Sequence, residues 1–272
     1  MAAIEVPGLK FPEGPRWHES SFWFSDQLGD NVWRVGEDGV AQVVCALDRP
    51  SGLGFPSSGG VLVALMRERR VVRVFDGDVQ TAFDLSMFGA QLNDMVIDRL
   101  GRVYVDVYGD DLRENAALVV ICPGAAPRLA APDLNMPNGV AVTPDGDRLL
   151  VSETFAERVT AFDVAPDGSL ANRTTWAHVP GMFPDGLCLD ESGAIWVASY
   201  SKGEFLRLAE GGRVFDRIAY PGRWALSCAL GGDDGRTLLL CTAEATMDGY
   251  VSGDAKGFVE TRRVDVAGVG CP

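Results

Sequence analysis

The chain has 272 residues, of which 47% are hydrophobic, and carries a formal net charge of −14 at pH 7. This apolar fraction is ordinary for a globular core. The net negative charge argues against nucleic acids and anionic membranes as partners, because they would repel such a surface. No apolar run approaches a membrane span, and residues 1–10 lack the charged and apolar regions of a signal peptide, so we expect a cytoplasmic protein with no membrane association.

The six cysteines form no CxxC pair and no framework spacing. Several of them, such as Cys188 and Cys241, lie in apolar, strand-like runs. The sequence therefore predicts reduced, buried thiols rather than disulfides. Because His18 and His178 are the only histidines, a Cys/His zinc site is not expected.

A short pattern recurs six times along the chain, and its clearest copy is Pro184-Asp185-Gly186 followed by an apolar run. The copies start 38 to 47 residues apart, and in five of six a glycine follows eight residues later. Repeats of this length with strand-like content predict a β-propeller. The polar residues at the repeated position are Glu13, Ser51, Asn93, Asn138, Asp185 and Ser227.

Each repeat continues with further apolar strands after a turn. The predicted second strands are Phe22–Phe24, Val61–Val63, Val103–Val105, Leu149–Val151, Ile195–Val197 and Leu238–Leu240. The predicted third strands are Asn31–Val35, Arg70–Phe75, Ala117–Cys122, Arg158–Val164, Glu204–Leu208 and Phe258–Val264. Asp-Gly turns punctuate the repeats, and no window of a dozen residues has helical periodicity. We predict an all-β chain, a single domain over residues 1–272, built as a six-bladed propeller of four-stranded antiparallel blades.

Two segments at the ends of the chain predict how the ring closes. An apolar segment, Ile4–Leu9, precedes the first repeat, and a strand-like run, Phe258–Val266, ends the sequence. Pairing the N-terminal strand with the last blade would remove two exposed sheet edges.

The six repeated polar residues are expected to meet at one end of the central channel, because the first strand of every blade runs beside the axis. They supply two carboxylates, two carboxamides and two hydroxyls. Crowded carboxylates repel each other unless a cation compensates, and mixed oxygen ligands suit Ca²⁺ better than Mg²⁺. The alternative is that Asn138-Gly139 and Asp185-Gly186 are simply hairpin turns.

Five motifs resemble the SMP-30/gluconolactonase/LRE family over nearly the whole chain. They are Glu13-Gly14-Pro15-Arg16-Trp17, Leu92-Asn93-Asp94, Pro137-Asn138-Gly139-Val140, Pro184-Asp185-Gly186-Leu187 and Ser227-Cys228-Ala229-Leu230-Gly231-Gly232. The resemblance implies one catalytic divalent cation, usually Ca²⁺ and replaceable by Zn²⁺, Mn²⁺ or Mg²⁺. It implies Glu13, Asn138 and Asp185 as metal ligands, Asn93 as a ligand or a substrate contact, and Asp185 as the general base.

The family's activities are chiefly hydrolysis of sugar lactones, and related propellers hydrolyse organophosphates. The sequence departs from the sugar-lactone enzymes at Gln91, where an arginine is usual, and at Met95, where a glycine is usual. Losing a guanidinium that could bind sugar hydroxyls puts gluconolactone itself in question. Besides Gln91 and Asn93, the predicted substrate-binding residues are Asp106 and Tyr108, expected as loop residues beyond a second strand. The stretch 109–116 is expected to lie over the channel.

The sequence thus predicts a metal-dependent hydrolase that opens a small-molecule lactone, as a monomer or a weak homo-oligomer. A Ser-His-Asp triad is not supported, because neither histidine lies at a repeated position. Two alternatives stay open. One is a non-catalytic ligand-binding propeller with a structural cation. The other is a phosphotriesterase or a biosynthetic enzyme using the same metal site. For a biosynthetic enzyme with an unusual substrate, Gln91 and the acidic pair Asp110-Asp111 would be the adaptation.

Overall fold

The computed structural model describes residues 2–109 and 116–270. These residues form six antiparallel sheets of four strands each, which confirms the predicted six-bladed propeller. The pair Asp110-Asp111 and the interior of the stretch 109–116 lie outside the described residues.

The first strand of the chain is β1 (Ala2–Ile4), and blades one to three follow it. Blade one contains β2 (Pro12–His18), β3 (Ser21–Asp26), β4 (Asn31–Gly36) and β5 (Ala41–Ala46). Blade two contains β6 (Pro50–Gly54), β7 (Val61–Leu65), β8 (Arg70–Phe75) and β9 (Asp78–Asp84). Blade three contains β10 (Gln91–Ile97), β11 (Val103–Tyr108), β12 (Ala116–Ile121) and β13 (Arg128–Leu134).

Blades four to six continue the same order. Blade four contains β14 (Pro137–Val142), β15 (Arg148–Glu153), β16 (Arg158–Val164) and β17 (Leu170–His178), with a 3-10 helix at Thr154–Ala156. Blade five contains β18 (Pro184–Leu189), β19 (Ile195–Ser199), β20 (Glu204–Leu208) and β21 (Val214–Ala219). Blade six contains β22 (Trp224–Gly231), β23 (Thr237–Glu244), the helix α1 (Met247–Ser252) and β24 (Lys256–Arg263).

The ring closes as predicted, because β1 pairs antiparallel with β24 and completes the sheet of blade six. The paired residues are Ala2–Ile4, at the start of the chain, rather than the apolar run Ile4–Leu9. Leu9 instead packs in a core cluster with Phe24 and Val259. Among the described residues, no helix is both long and apolar enough to span a membrane.

The core lies between the blades, where each sheet packs its apolar face on the next. One cluster joins Leu62 and Val71 of blade two to Val105 and Val119 of blade three. The outermost strands, such as β9 and β21, are largely exposed. Their apolar and polar residues are mixed and mostly face water, and this is why the sequence located the first three strands of a blade more readily than the fourth.

The innermost strands all carry a shift of register at the same place. The shift follows Glu13 in β2 and Leu92 in β10, and it follows Pro50, Pro137, Pro184 and Ala225 in the other four. A β-bulge turns a side chain away from the regular alternation. Here the six bulges coincide with the six repeated polar positions.

Candidate metal centre

The six repeated polar residues lie at the axis, where the innermost strands of neighbouring blades meet. All six are buried, and we call them the polar ring: Glu13, Ser51, Asn93, Asn138, Asp185 and Ser227. Ser51 Oγ donates to Asn93 Oδ1 at 2.9 Å, and Asn93 Nδ2 donates to Asn138 Oδ1 at 3.2 Å. Residues of blades two, three and four are thereby joined directly.

The glycine after a ring residue is required by close approach of the next blade. A Cβ on Gly139 would lie 2.4 Å from the Leu187 nitrogen, and one on Gly52 would lie 2.4 Å from the Met95 nitrogen. Backbone at these distances leaves no room for any side chain. Blades three and six have no glycine after the ring residue and carry Asp94 and Cys228 there instead.

The two ring carboxylates are strongly perturbed. The pKa of Glu13 is raised to about 8, chiefly by burial and then by the negative charge of Asp94. Burial also raises the pKa of Asp185 well above its ordinary value, and the negative charges of Glu13 and Asp94 add to this shift. Each carboxylate therefore holds a proton more tightly than it would in water, unless positive charge is supplied nearby.

Asp106 and Tyr108 do not lie in a loop, and this corrects the sequence prediction. Both belong to β11, and they are 0% and 3% exposed. Asp106 lies on β11 beside Asn93. At the corresponding position of their second strands, blades one and six carry the smaller side chains Ser25 and Cys241. Burial raises its pKa well above the ordinary value, with Asp94 adding to the shift.

Gln91 begins β10 opposite Tyr108 and is exposed at the ring end of its blade. Two further residues at this end were not singled out from the sequence. Gln27 Nε2 donates to Ser51 Oγ at 2.8 Å, and Tyr250 donates its hydroxyl hydrogen to Gln27 Oε1 at 3.2 Å. Neither residue lies at a repeated position, so the repeat pattern carried no signal for them.

The donor set at the ring fits a hard cation. Asp185 Oδ1 is buried and makes no hydrogen bond with normal geometry to any described residue. The ring offers only oxygen donors, which hard divalent cations prefer. Within residues 2–109 and 116–270 there is no cluster of three or more His, Cys, Asp or Glu side chains with metal-binding geometry. Glu13 and Asp185 are the only carboxylates of the ring, so Asn138 would complete the predicted ligand set.

The carboxamide oxygen of Asn93 is already engaged in hydrogen bonds. Its Oδ1 accepts from Ser51 Oγ at 2.9 Å and from Gln27 Nε2 at 3.4 Å. These bonds occupy the two lone pairs of a carboxamide oxygen. This orientation favours a positioning or substrate-contact role for Asn93 over direct metal ligation.

Fold and site together define a six-bladed propeller whose axial opening gathers buried, oxygen-bearing side chains. The chain belongs to the SMP-30/Gluconolactonase/LRE-like family, whose profile matches residues 11–244. This finding confirms the resemblance drawn from the five motifs.

Two curated relatives match almost the full chain. Pentonolactonase XacC of Haloferax volcanii is 28% identical and covers 96% of this chain and 92% of its own. A 6-deoxy-6-sulfogluconolactonase of Pseudomonas putida is 27% identical and covers 96% of this chain and 93% of its own. Among solved structures, the calcium-binding protein regucalcin from Agrobacterium tumefaciens has a TM-score of 0.85 at 20% identity, covering 100% of this chain and 96% of its own. At that identity, the match describes the shared fold.

Proposed function

We propose that this chain is a divalent-cation-dependent lactonase. The observation that carries the proposal is the buried Asp185 carboxylate, which has one oxygen that lacks a hydrogen-bond partner among the described residues and a pKa that the charge of Glu13 helps to raise. An oxygen in this state is poised to bind a cation or to accept a proton. The names of two full-length relatives, both sugar-type lactonases, support the reaction class.

Glu13, Asn138 and Asp185 would hold the cation, with Ca²⁺ as the ion that best suits a mixture of carboxylate and carboxamide oxygen. When bound, the cation polarises the lactone carbonyl and stabilises the negative charge that develops on its oxygen. Regucalcin, which shares the fold, is a calcium-binding protein, and this is consistent with the choice of ion.

The chain's own residues would orient the site and move the proton. Asp185 is the candidate general base, since its unpartnered oxygen can take a proton from the attacking water. Ser51 and Gln27 hold the Asn93 carboxamide oxygen, so that its amide nitrogen points to Asn138 and fixes that side chain in turn. Burial of the whole ring excludes bulk water, which strengthens each of these electrostatic interactions.

A panel of substrates with and without a chelator tests the proposal. Sugar, aliphatic and aromatic lactones and one phosphotriester would be assayed beside a metal analysis of the purified protein. We expect lactone hydrolysis that is lost with chelator and restored by Ca²⁺. Metal-dependent melting without turnover of any substrate would favour a binding protein with a structural cation. Turnover of the phosphotriester alone would favour the phosphotriesterase alternative, and chelator-resistant lactonase activity would contradict the role of the cation.

A further inference from the structure

A continuous series of aromatic rings borders the polar ring on the side of blades four, five, six and one. Neighbouring ring centroids are 4.8 to 6.3 Å apart along the whole series. We call this series the aromatic arc, and its members in order are Phe155, Phe183, Tyr200, Trp224, Phe11 and Tyr250.

The arc lies at the same end of the propeller as the polar ring. Phe11 comes directly before β2, two residues from Glu13, and Phe183 comes directly before β18, two residues from Asp185. Tyr200 directly follows β19, whose end pairs with the start of β18. Rings from four separate blades thus converge on the half of the opening that carries both ring carboxylates.

Tyr250 joins the end of the arc to the polar ring. Its hydroxyl donates to Gln27, which in turn donates to Ser51. Burial raises the pKa of Tyr250, and the negative charges of Glu13 and Asp185 are close enough to raise it further. The arc therefore borders the reacting end of the site.

The arc differs from the aromatic residues of the core in its exposure. Trp196, Tyr104 and Phe205 are among the largest fully buried side chains of the protein. Five of the six arc residues are only partly buried, the exception being Phe11. Partly exposed rings that touch one another at the entrance of a polar site are typical of a surface that binds the apolar part of a small ligand.

We propose that the aromatic arc selects lactones that carry a flat, apolar substituent next to the ester, in preference to polyhydroxylated sugar lactones. The inference rests on the lactonase function proposed above and names its substrate class. Ring faces attract an aromatic or alicyclic group by dispersion and stacking, whereas sugar hydroxyls turned toward them would lose hydrogen bonds to water. Gln91, in place of the usual arginine, is consistent with the same preference.

The test compares γ-phenyl-γ-butyrolactone with γ-butyrolactone, which share the ester ring and differ by the phenyl group. For the wild type we expect kcat/KM to be at least about tenfold higher for the phenyl lactone. The variants Phe183→Leu and Trp224→Leu should each lower this ratio by about three- to tenfold, because one stacking surface is lost. The matched control is Phe75→Leu, which removes an exposed ring at the opposite end of blade two and should leave the ratio unchanged.

Binding of a lactam keeps the test independent of turnover. Titration calorimetry with 5-phenylpyrrolidin-2-one and pyrrolidin-2-one, in the presence of Ca²⁺, should show tighter binding of the phenyl compound, weakened in both arc variants. If no lactone is hydrolysed but this binding pattern is found, the proposed activity fails and the role of the arc stands. Equal binding of the two lactams, an unchanged preference in both folded variants, or a wild-type preference for glucono-δ-lactone over the phenyl lactone would overturn the inference.

Discussion

Arg16 of blade one and Asp94 of blade three form a buried ion pair, with Nη2 2.9 Å from Oδ1, although blade two stands between their blades in the ring. The side chains are 11% and 8% exposed. Asp94 occupies the position held by glycine in four other blades, and its charge raises the pKa of both Glu13 and Asp185. Arg16 lowers the pKa of Glu13 and so partly offsets that repulsion.

Replacing Arg16 and replacing Asp94 should lower the stability of the protein by different amounts. Arg16→Met leaves Asp94 buried among other carboxylates, and we expect it to lower the free energy of unfolding by about 3–5 kcal/mol. Asp94→Asn should destabilise less, because it also relieves repulsion on Glu13 and Asp185. Chemical denaturation of both variants and of the double variant would measure this, and a greater loss for Asp94→Asn would contradict the electrostatic account.

Asp185→Asn should abolish lactone hydrolysis while the fold survives. The substitution removes the proposed base and one charged metal ligand at nearly constant shape, so we expect kcat/KM to fall by at least about a thousandfold. Circular dichroism should be unchanged, and the melting temperature of the chelated protein should rise or stay constant, because a charge repulsion is lost. Asp78→Asn, on the exposed strand β9, is the control and should keep full activity. Substantial activity in Asp185→Asn would remove this residue from the mechanism.

The stability of the chelated protein should fall as pH rises. Glu13 has an ordinary pKa of 4.5 and a folded-state pKa of about 8, so the folded state binds more protons than the unfolded state between these values. Folding stability must then decrease with pH across this window, since ionisation in the folded state is disfavoured. Bound Ca²⁺ should suppress this decrease in stability, because it would compensate the negative charge of the carboxylates.

Melting temperatures from pH 4 to pH 9, with Ca²⁺ or with a chelator, check this expectation. Glu13→Gln should make the decrease in the chelated protein shallower, whereas Glu191→Gln, an exposed substitution, should not. A chelated wild type whose stability is constant or rises over this range would contradict the shifted pKa of Glu13.

Gly139→Ala should disturb the site by a steric route. The added Cβ would lie 2.4 Å from the Leu187 nitrogen and 2.7 Å from the Asp185 carbonyl oxygen, so blade five must move away. We expect a loss of about 1–3 kcal/mol in stability together with weaker metal binding. Gly36→Ala is the matched control, because its Cβ would meet only side-chain atoms at 3.4 Å or more, and it should be neutral. Equal behaviour of the two variants would argue against close blade packing at the ring.

Asn93→Ala and Asn138→Ala should separate the two roles proposed for the ring carboxamides. Because Asn93 Oδ1 already accepts two hydrogen bonds, its loss should lower kcat/KM about tenfold or more with little change in Ca²⁺ affinity. Asn138→Ala should weaken Ca²⁺ binding itself. Titration calorimetry and steady-state kinetics measure both quantities, and a large loss of Ca²⁺ affinity in Asn93→Ala would make Asn93 a ligand instead.

The amino-acid sequence by itself determined the repeat, the number of blades and the six repeated polar positions. These features are local, since a turn, a strand start and an apolar run are each encoded by a few consecutive residues. The outer strands were harder to locate from the sequence because their side chains face water. Asp106 and Tyr108 were assigned to a loop because the charged Asp106 interrupts the apolar run, although Val107 and Tyr108 are themselves strand-forming residues.

Only the tertiary structure decided which side chains surround the polar ring. The Arg16–Asp94 pair spans 78 residues, and the Tyr250–Gln27 hydrogen bond spans 223 residues. The aromatic arc likewise draws its rings from four blades, and no short segment contains two neighbouring members. Such contacts depend on how the closed ring turns each blade toward the axis and on the bulges that aim the ring side chains. Both are properties of the assembled sheets rather than of any one strand.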